Sequence, residues 1–314
     1  MLNIYLDTNV HSQLSNGLYA EELAEIKRLK LEGKITVYFT GANLLELACM
    51  IRDEGKFFEC REILRFSSRL CSNNILEDNW GHMQRSVGNF LEVDLPVTID
   101  PLYWVTTASL ISNADNPGQV RRETDFLREY LRGFKKDWFE GARRTIDGIR
   151  ELLNPEEAVQ GQEAIVEQLD DESLLDEVRH QLWDETRRQL WEACKGHHRV
   201  PDYANRLNYD IAYNKIPTVR YFIDLQNAYY DGMLKDRTEP QESDYFDLEY
   251  VIYLDLMDYF VTNDNGLHNL YSCASREICQ GCILLKDVCK LELLAPRAPF
   301  RDRLGKTRYE IRKK

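Results

Sequence analysis

The chain carries strand-like segments near its two ends and none in the long stretch between them. Asn3 to Leu6 is a short apolar run that stops at Asp7. Ile35 to Phe39 (Ile-Thr-Val-Tyr-Phe) is β-branched and aromatic, the composition of a pleated, half-buried strand. Leu23, Ile26 and Leu29 recur at helical spacing within Glu21 to Leu31, and Gly33 stands where such a helix ends. His11 to Gly17 reads as a polar loop. Thr40 occupies an N-cap position ahead of Leu44, Leu45, Leu47, Ala48 and Ile51, and Phe57 to Leu70 reads as a further helix. Towards the other end, Phe246 to Leu256 is apolar and helix-compatible. Tyr259-Phe260-Val261-Thr262 is a strand running into Asn263-Asp264, Gly266 to Ser275 is a helix, and Cys282 to Leu285 is a short strand. Strands that alternate with helices call for a parallel sheet, so both ends of the chain are expected to contribute to one α/β unit.

The middle is different. From Pro96 to about Asp244 the pattern is helical, with candidate helices over Phe126 to Trp138, Ala142 to Leu153, Ala164 to Trp191 and Val219 to Leu234. Pro117, Pro155, Pro201 and Pro217 punctuate them. The expected organisation is a discontinuous α/β domain from residues 1–94 and 244–296, a large all-α insertion over 95–243, and a basic tail over 297–314.

With 43% hydrophobic and 30% charged residues in 314, the chain has globular composition. Its net charge of −13 argues against a protein that coats nucleic acid without specificity, because that binding needs Lys and Arg to neutralise phosphates. It leaves room for a nuclease with a local acidic metal site. The charge is also unevenly spread. Residues 151–178 hold ten Asp or Glu and no Lys or Arg, which reads as a solvated helical face, or else as a docking surface for a basic partner. The tail has eight basic residues against two acids. Arg297, Arg301, Arg303, Lys306 and Arg308 are its candidates for phosphate contact, with a solubilising end as the competing reading.

Eight cysteines are too sparse for a disulfide scaffold and fit reduced thiols. The first residues lack a basic n-region, and no apolar run approaches the roughly 20 residues of a membrane span, so a cytoplasmic location with no membrane partner is expected. Cys273, Cys279, Cys282 and Cys289 include one C-x-x-C (Cys279-Gln-Gly-Cys282), but the flanking spacings do not repeat it, and buried reduced cysteine is favoured over zinc. Tyr221, Phe222, Tyr229 and Tyr230 beside Arg220 would suit base stacking, yet helical core packing is the simpler reading. Walker A, G-x-G-x-x-G, H-E-x-x-H and G-x-S-x-G patterns are absent.

The chemistry lies in the acids. Asp7 and Asp264 each follow a strand, and parallel sheets place their sites at the carboxyl ends of strands. Glu46 sits early in the helix after the second strand. Asp247 opens the helix before the later strand, with Asp244 one turn earlier. Carboxylates gathered at one sheet edge repel unless a cation sits among them, and an all-oxygen set selects Mg²⁺ or Mn²⁺ over zinc. Such ions activate water for phosphodiester cleavage. The plainer alternatives are a helix cap for Asp7, a surface position for Glu46, an N-cap for Asp247 and a turn residue for Asp264.

The segments Ile4-Tyr5-Leu6-Asp7-Thr8-Asn9, Leu44-Leu45-Glu46-Leu47, Asp247-Leu248-Glu249-Tyr250 and Phe260-Val261-Thr262-Asn263-Asp264 together resemble the PIN-domain nucleases. That family opens on a strand ending in Asp-Thr/Ser-Asn/Ser and carries a Glu on the helix after its second strand. A third acid begins a helix ahead of a hydrophobic strand ending in Thr-x-Asp. The interval from Asp247 to Asp264 is 17 residues and fits that pattern better than the 20 from Asp244. The resemblance covers residues 1–60 and 244–290; a compact PIN domain has nothing like the 95–243 insertion. Longer bacterial PIN-like proteins, with an Asp-x-x-x-x-x-Tyr helix leading into Asp-x-x-Val-Thr-x-Asp, look closer. The matching residues here are Asp247, Tyr253, Asp258, Val261, Thr262 and Asp264.

The resemblance implies an endoribonuclease that uses Mg²⁺ or Mn²⁺ held by Asp7, Glu46, Asp247 and Asp264, and leaves 3′-OH and 5′-phosphate ends. Asn9, Thr262 and Asn265 are the expected supporting residues, and Asp258 is expected to support the strand entry. Many relatives are toxins of toxin–antitoxin pairs; others process RNA or act in defence. The insertion is then expected to wall the substrate groove, to dock an antitoxin or other protein, or to form a homo-oligomer interface. The alternatives are a non-catalytic PIN-like binding or regulatory module, and a nuclease acting on DNA.

Overall fold

The computed structural model describes residues 1–51, 54–92, 99–152, 177, 179–184, 187, 207–236, 238–241 and 244–294. The acidic run and the basic tail, including Arg297, Arg301, Arg303, Lys306 and Arg308, lie almost wholly outside those residues.

The chain is mostly helical around a small all-parallel sheet. Its strands are β1 (Leu2–Leu6), β2 (Ile35–Thr40), β3 (Ile75–Leu76), β4 (Tyr259–Thr262) and β5 (Cys282–Leu284), in spatial order β3-β2-β1-β4-β5. Ile4 stands opposite Val37 on one side and Tyr259 on the other, so β1 joins the two ends of the chain. Ile4, Tyr5, Leu6, Val37, Phe260 and Val261 are completely buried, as expected for parallel strands covered on both faces. β3 pairs Phe39 with Ile75 and Thr40 with Leu76; two residues are too short to leave an alternating pattern in the sequence.

The helices of the N-terminal part are α1 (Thr8–Ser15), α2 (Ala20–Leu31), α3 (Gly41–Met50), α4 (Glu54–Cys71) and α5 (Asn79–Leu91). Residues 11–15 are therefore helical, against the loop expected from their polar composition. Asp7 starts that helix by accepting from the Asn9 amide, and Val10 and Leu14 supply a buried face that outweighs the polar residues between them. Thr40 caps α3 as expected, through a capping box completed by Asn43. Gly41 is required there: a Cβ would stand 2.6 Å from the backbone N of Asp78.

The middle segment contributes α6 (Pro101–Asn113), α7 (Arg121–Leu152), α8 (Tyr209–Lys215) and α9 (Pro217–Asp236). The helices expected over 126–138 and 142–153 are one 32-residue helix, α7; Gly141 sits inside it without ending it. α7 packs along α3, and α6 along α4. Trp104, Trp138 and Phe222 belong to the same continuous core as Ile4 and Val261. Tyr221, Phe222, Tyr229 and Tyr230 are all buried, so these aromatics pack the core and offer no stacking platform.

The chain returns to the sheet through α10 (Asp244–Glu249), a 3₁₀ stretch Tyr250–Asp255, β4, α11 (Asn265–Cys273), α12 (Arg276–Gly281) and β5. Asp258 anchors the entry to β4: its carboxylate accepts from the Asn3 amide at 2.7 Å, as expected. His82 of α5 meets Asp255 at 2.7 Å. Burial works against its charge, but Asp255 and Glu77 outweigh that and lift its pKa to about 9, which ties α5 to the 3₁₀ stretch. Among the described residues no helix is long and apolar enough to cross a membrane.

Candidate functional site

The strand order places a topological switch between β1 and β4: from β1 the chain builds outward through β2 and β3, and later through β4 and β5 on the other side. Crevices at the carboxyl ends of such strands are where open α/β sheets bind ligands. Asp7 lies at that end of β1, its amide donating to the Val261 carbonyl at 2.9 Å. Asp264 lies just past β4 and caps α11, its Oδ1 accepting from the Leu267 amide at 2.9 Å. Asp7 thus fulfils its plainer capping reading, Asp264 is a helix cap where a turn residue was the plainer expectation, and both also stand at the sheet edge.

Asp7 is 4% exposed. Burial pushes its carboxyl up to about 7, and the charges of Glu46 and Asp264 push the same way, against the Thr262 hydroxyl and the Asn9 amide. Asp247, half-buried in the first turn of α10, is lifted to about 8, by burial first and then by the charges of Asp7, Glu46, Asp264 and Asp244. Burial also raises Glu46, which hydroxyls of Thr8 and Tyr250 and the charge of Lys135 pull back. The charges of Glu46 and Asp264 thus reach Asp7, and those of Asp7, Glu46 and Asp264 reach Asp247.

Asp244 is a different case. Its carboxylate is bonded to the Tyr229 hydroxyl and accepts from the Gln241 amide at 3.0 Å, so it fastens the start of α10. No hydrogen bond to the Asp247 carboxylate is found among the described residues; the Tyr271 hydroxyl reaches only its backbone carbonyl, at 3.3 Å. The spacing argument and the geometry favour the same acid.

The supporting residues divide. Thr262, fully buried, donates to Asp7 Oδ2 at 2.9 Å and accepts from the Asp264 amide at 3.0 Å, linking the two strand-end acids. Asn9 touches Asp7 through its backbone amide, and its side chain is exposed. Asn265 starts α11, is exposed, and among the described residues makes no hydrogen bond to the acids.

Three polar residues escaped the sequence reading. Tyr250 donates to Glu46 Oε2 at 3.0 Å, Thr8 shares a 2.8 Å hydrogen bond with the Tyr250 hydroxyl, and the Asn43 amide donates to Thr8 Oγ1, to the Tyr250 hydroxyl and to the Leu6 carbonyl at 3.0 to 3.2 Å. The signal for Asn43 was its place three residues after the Thr40 cap, where a longer Glu or Gln is usual.

The donor set is chemically right for a hard divalent cation: carboxylate oxygens only, with Asp7 and Asp247 raised by burial first and by their neighbours' charges second, and with no donor to the Asp247 carboxylate among the described residues. Among the described residues, though, no three Asp, Glu, His or Cys side chains are gathered as a finished ligand group. Each of the other three carboxylates is turned to a local donor: Asp7 to Thr262, Glu46 to Tyr250, Asp264 to its cap. The same holds for the cysteines. Cys273 and Cys289 are exposed and Cys282 is buried, and they form no such group. No family model, curated protein or solved structure matches the chain.

Proposed function

We propose that the chain is a PIN-like endoribonuclease that depends on Mg²⁺ or Mn²⁺. The observation that carries this reading is the meeting of Asp7 and Asp264 at the carboxyl ends of adjacent parallel strands, with Glu46 and Asp247 raising or feeling the same field. Asp7, Glu46, Asp247 and Asp264 would hold the cation. Bound there, it supplies Lewis acidity, acidifying the attacking water and offsetting charge that develops on the phosphate. The chain's own part is to keep the carboxylates in place. Thr262 orients Asp7, Tyr250 orients Glu46, and burial lifts the pKa of Asp7 to about 7 and of Asp247 to about 8, so cation binding would be coupled to proton release. A toxin or defence role, with a protein partner on the middle segment, rests on the PIN resemblance alone.

The test is cleavage of single-stranded RNA by the purified protein with Mn²⁺, beside Asp7→Asn and Asp264→Asn, with single-stranded DNA as a second substrate. RNA cleavage by wild type and its loss in both variants is expected. Equal activity in the variants sinks the site, and cleavage of DNA alone changes the substrate class. A second reading, a PIN-like module that binds without cutting, is favoured by one observation: among the described residues the carboxylates are turned to local donors and not to one another. It requires metal-bearing wild type to bind RNA and leave it intact.

A further inference from the structure

The middle segment reaches the carboxylate edge through one face of α7. That helix packs along α3, which carries Glu46, and against α10, which carries Asp247. Trp138 of α7 meets Tyr245 of α10 edge-on at 6.1 Å. One helical turn away, half-buried Lys135 sets its ammonium 4.9 Å above the ring of Phe246, the residue before Asp247. The carboxyls of both Glu46 and Glu249 feel its positive charge.

Lys135 has no carboxylate within salt-bridge distance among the described residues. Its neighbours on the helix do: Arg132 is 2.7 Å from Glu129, and Lys136 is 3.9 Å from Glu140. A half-buried ammonium is costly to leave without an anion, and an aromatic face offsets only part of that cost. Glu46, one of the two acids that feel its charge, is already bonded to Tyr250. A cluster of carboxylates on its own repels a phosphodiester, so a nuclease here needs a cation beside the cluster to receive one.

We propose that Lys135 is a substrate-binding residue that contacts a backbone phosphate of single-stranded RNA at the Asp7–Glu46–Asp247–Asp264 edge. The middle segment is thereby part of the site. This rests on the nuclease reading above. It also moves the phosphate contact from the basic tail to α7.

The test is RNA binding by full-length protein carrying Asp7→Asn, which is not expected to cut. Fluorescence anisotropy with a labelled single-stranded RNA oligonucleotide is followed across a salt series. Lys135→Met, which keeps the aliphatic stem over Phe246, is expected to lower the slope of log K against log salt by about 0.7, the loss of one phosphate contact on a single strand. Lys135→Arg is expected to retain the slope. Thermal unfolding of each variant confirms that the fold is kept. If Lys135→Met and its parent bind with the same affinity and slope, the role of Lys135 is overturned and the nuclease reading stands. If Lys135→Met leaves the slope unchanged but tightens Mn²⁺ binding to protein with Asp7 intact, Lys135 is an internal counter-ion of Glu46 and the proposal fails. If the parent binds no RNA, the nuclease reading falls and this inference with it.

Discussion

The Tyr250 hydroxyl donates to Glu46 Oε2 at 3.0 Å, joining residues 204 positions apart in the chain. The same hydroxyl is hydrogen-bonded to Thr8 at 2.8 Å and receives the Asn43 amide at 3.2 Å. One phenol thus fixes the first turn of α1, the first turns of α3 and the helix that follows Asp247. Tyr250→Phe removes one atom from this hub and leaves buried donors without a partner. It is expected to destabilise the protein by about 1–3 kcal/mol and to weaken Mn²⁺ binding about 10- to 100-fold. Urea unfolding and calorimetry check the two effects; a variant with wild-type metal affinity would deny Tyr250 its positioning role.

Asp244 and Asp247 separate by experiment as they do by geometry. Asp244→Asn weakens bonds to Tyr229 and Gln241, so it is expected to lower stability by about 1 kcal/mol while sparing RNA cleavage. Asp247→Asn is expected to do the reverse, abolishing cleavage with no loss of stability. Thermal unfolding and the cleavage assay, run on both variants, report the pattern; cleavage lost with Asp244 and kept with Asp247 reverses the assignment.

Much of this arrangement could be read from the chain, and the parts that could not have a common cause. The strand ends at Asp7 and Asp264, the Thr40 cap and the anchoring by Asp258 are local or follow from parallel-sheet geometry, so composition and order reveal them. α1 was hidden because His11, Ser12 and Gln13 look like loop; the Asp7 cap and the buried Val10 and Leu14 decide the matter only once a core exists. Asn43 and Tyr250 were invisible as a pair, since their meeting depends on α10 and the 3₁₀ stretch returning to β1 from the far end of the sequence. The gap expected between residues 138 and 142 closes because one apolar face runs the length of α7.

Stability of the metal-free protein is expected to fall as pH rises from about 4 to about 8. In the unfolded chain Asp7, Asp78 and Asp247 lose their protons near pH 4; in the folded chain burial lifts Asp7 and Asp78 to about 7 and Asp247 to about 8. The folded state therefore binds more protons across that window, and its advantage is complete below pH 4 and lost as pH passes the folded values. Asp247→Asn is expected to flatten the profile and to unfold at a higher temperature than wild type at pH 8. Mn²⁺ takes the place of the protons, so its stabilising effect is expected to be larger at pH 8 than at pH 6. Melting curves from pH 4 to 8, with and without Mn²⁺, measure both; a profile that rises with pH would contradict the burial of these acids.

Glu249 is fully buried, with Trp80 donating to its Oε1 at 2.9 Å and the Tyr245 hydroxyl beside the same carboxyl; among the described residues its Oε2 makes no hydrogen bond that meets ordinary geometry. Burial drives its pKa far above the ordinary carboxylate range, which favours the neutral acid. Glu249→Gln keeps the shape of the protonated acid and is expected to change stability by less than about 1 kcal/mol at pH 7. Glu249→Ala, which opens a cavity and strands the Trp80 N–H, is expected to cost about 2–4 kcal/mol. Denaturant unfolding of the pair checks this; a large loss in Glu249→Gln would mean that the group is charged.

Four acids from distant parts of the chain are proposed to act as one divalent-cation site. Calorimetric titration of Mn²⁺ into wild type and into Asp7→Asn, Glu46→Gln, Asp247→Asn and Asp264→Asn addresses it most directly. Wild type is expected to bind Mn²⁺ at millimolar concentration or tighter, with each substitution weakening that binding about tenfold or more. Absence of Mn²⁺ binding by wild type, or equal binding by all five proteins, would contradict it.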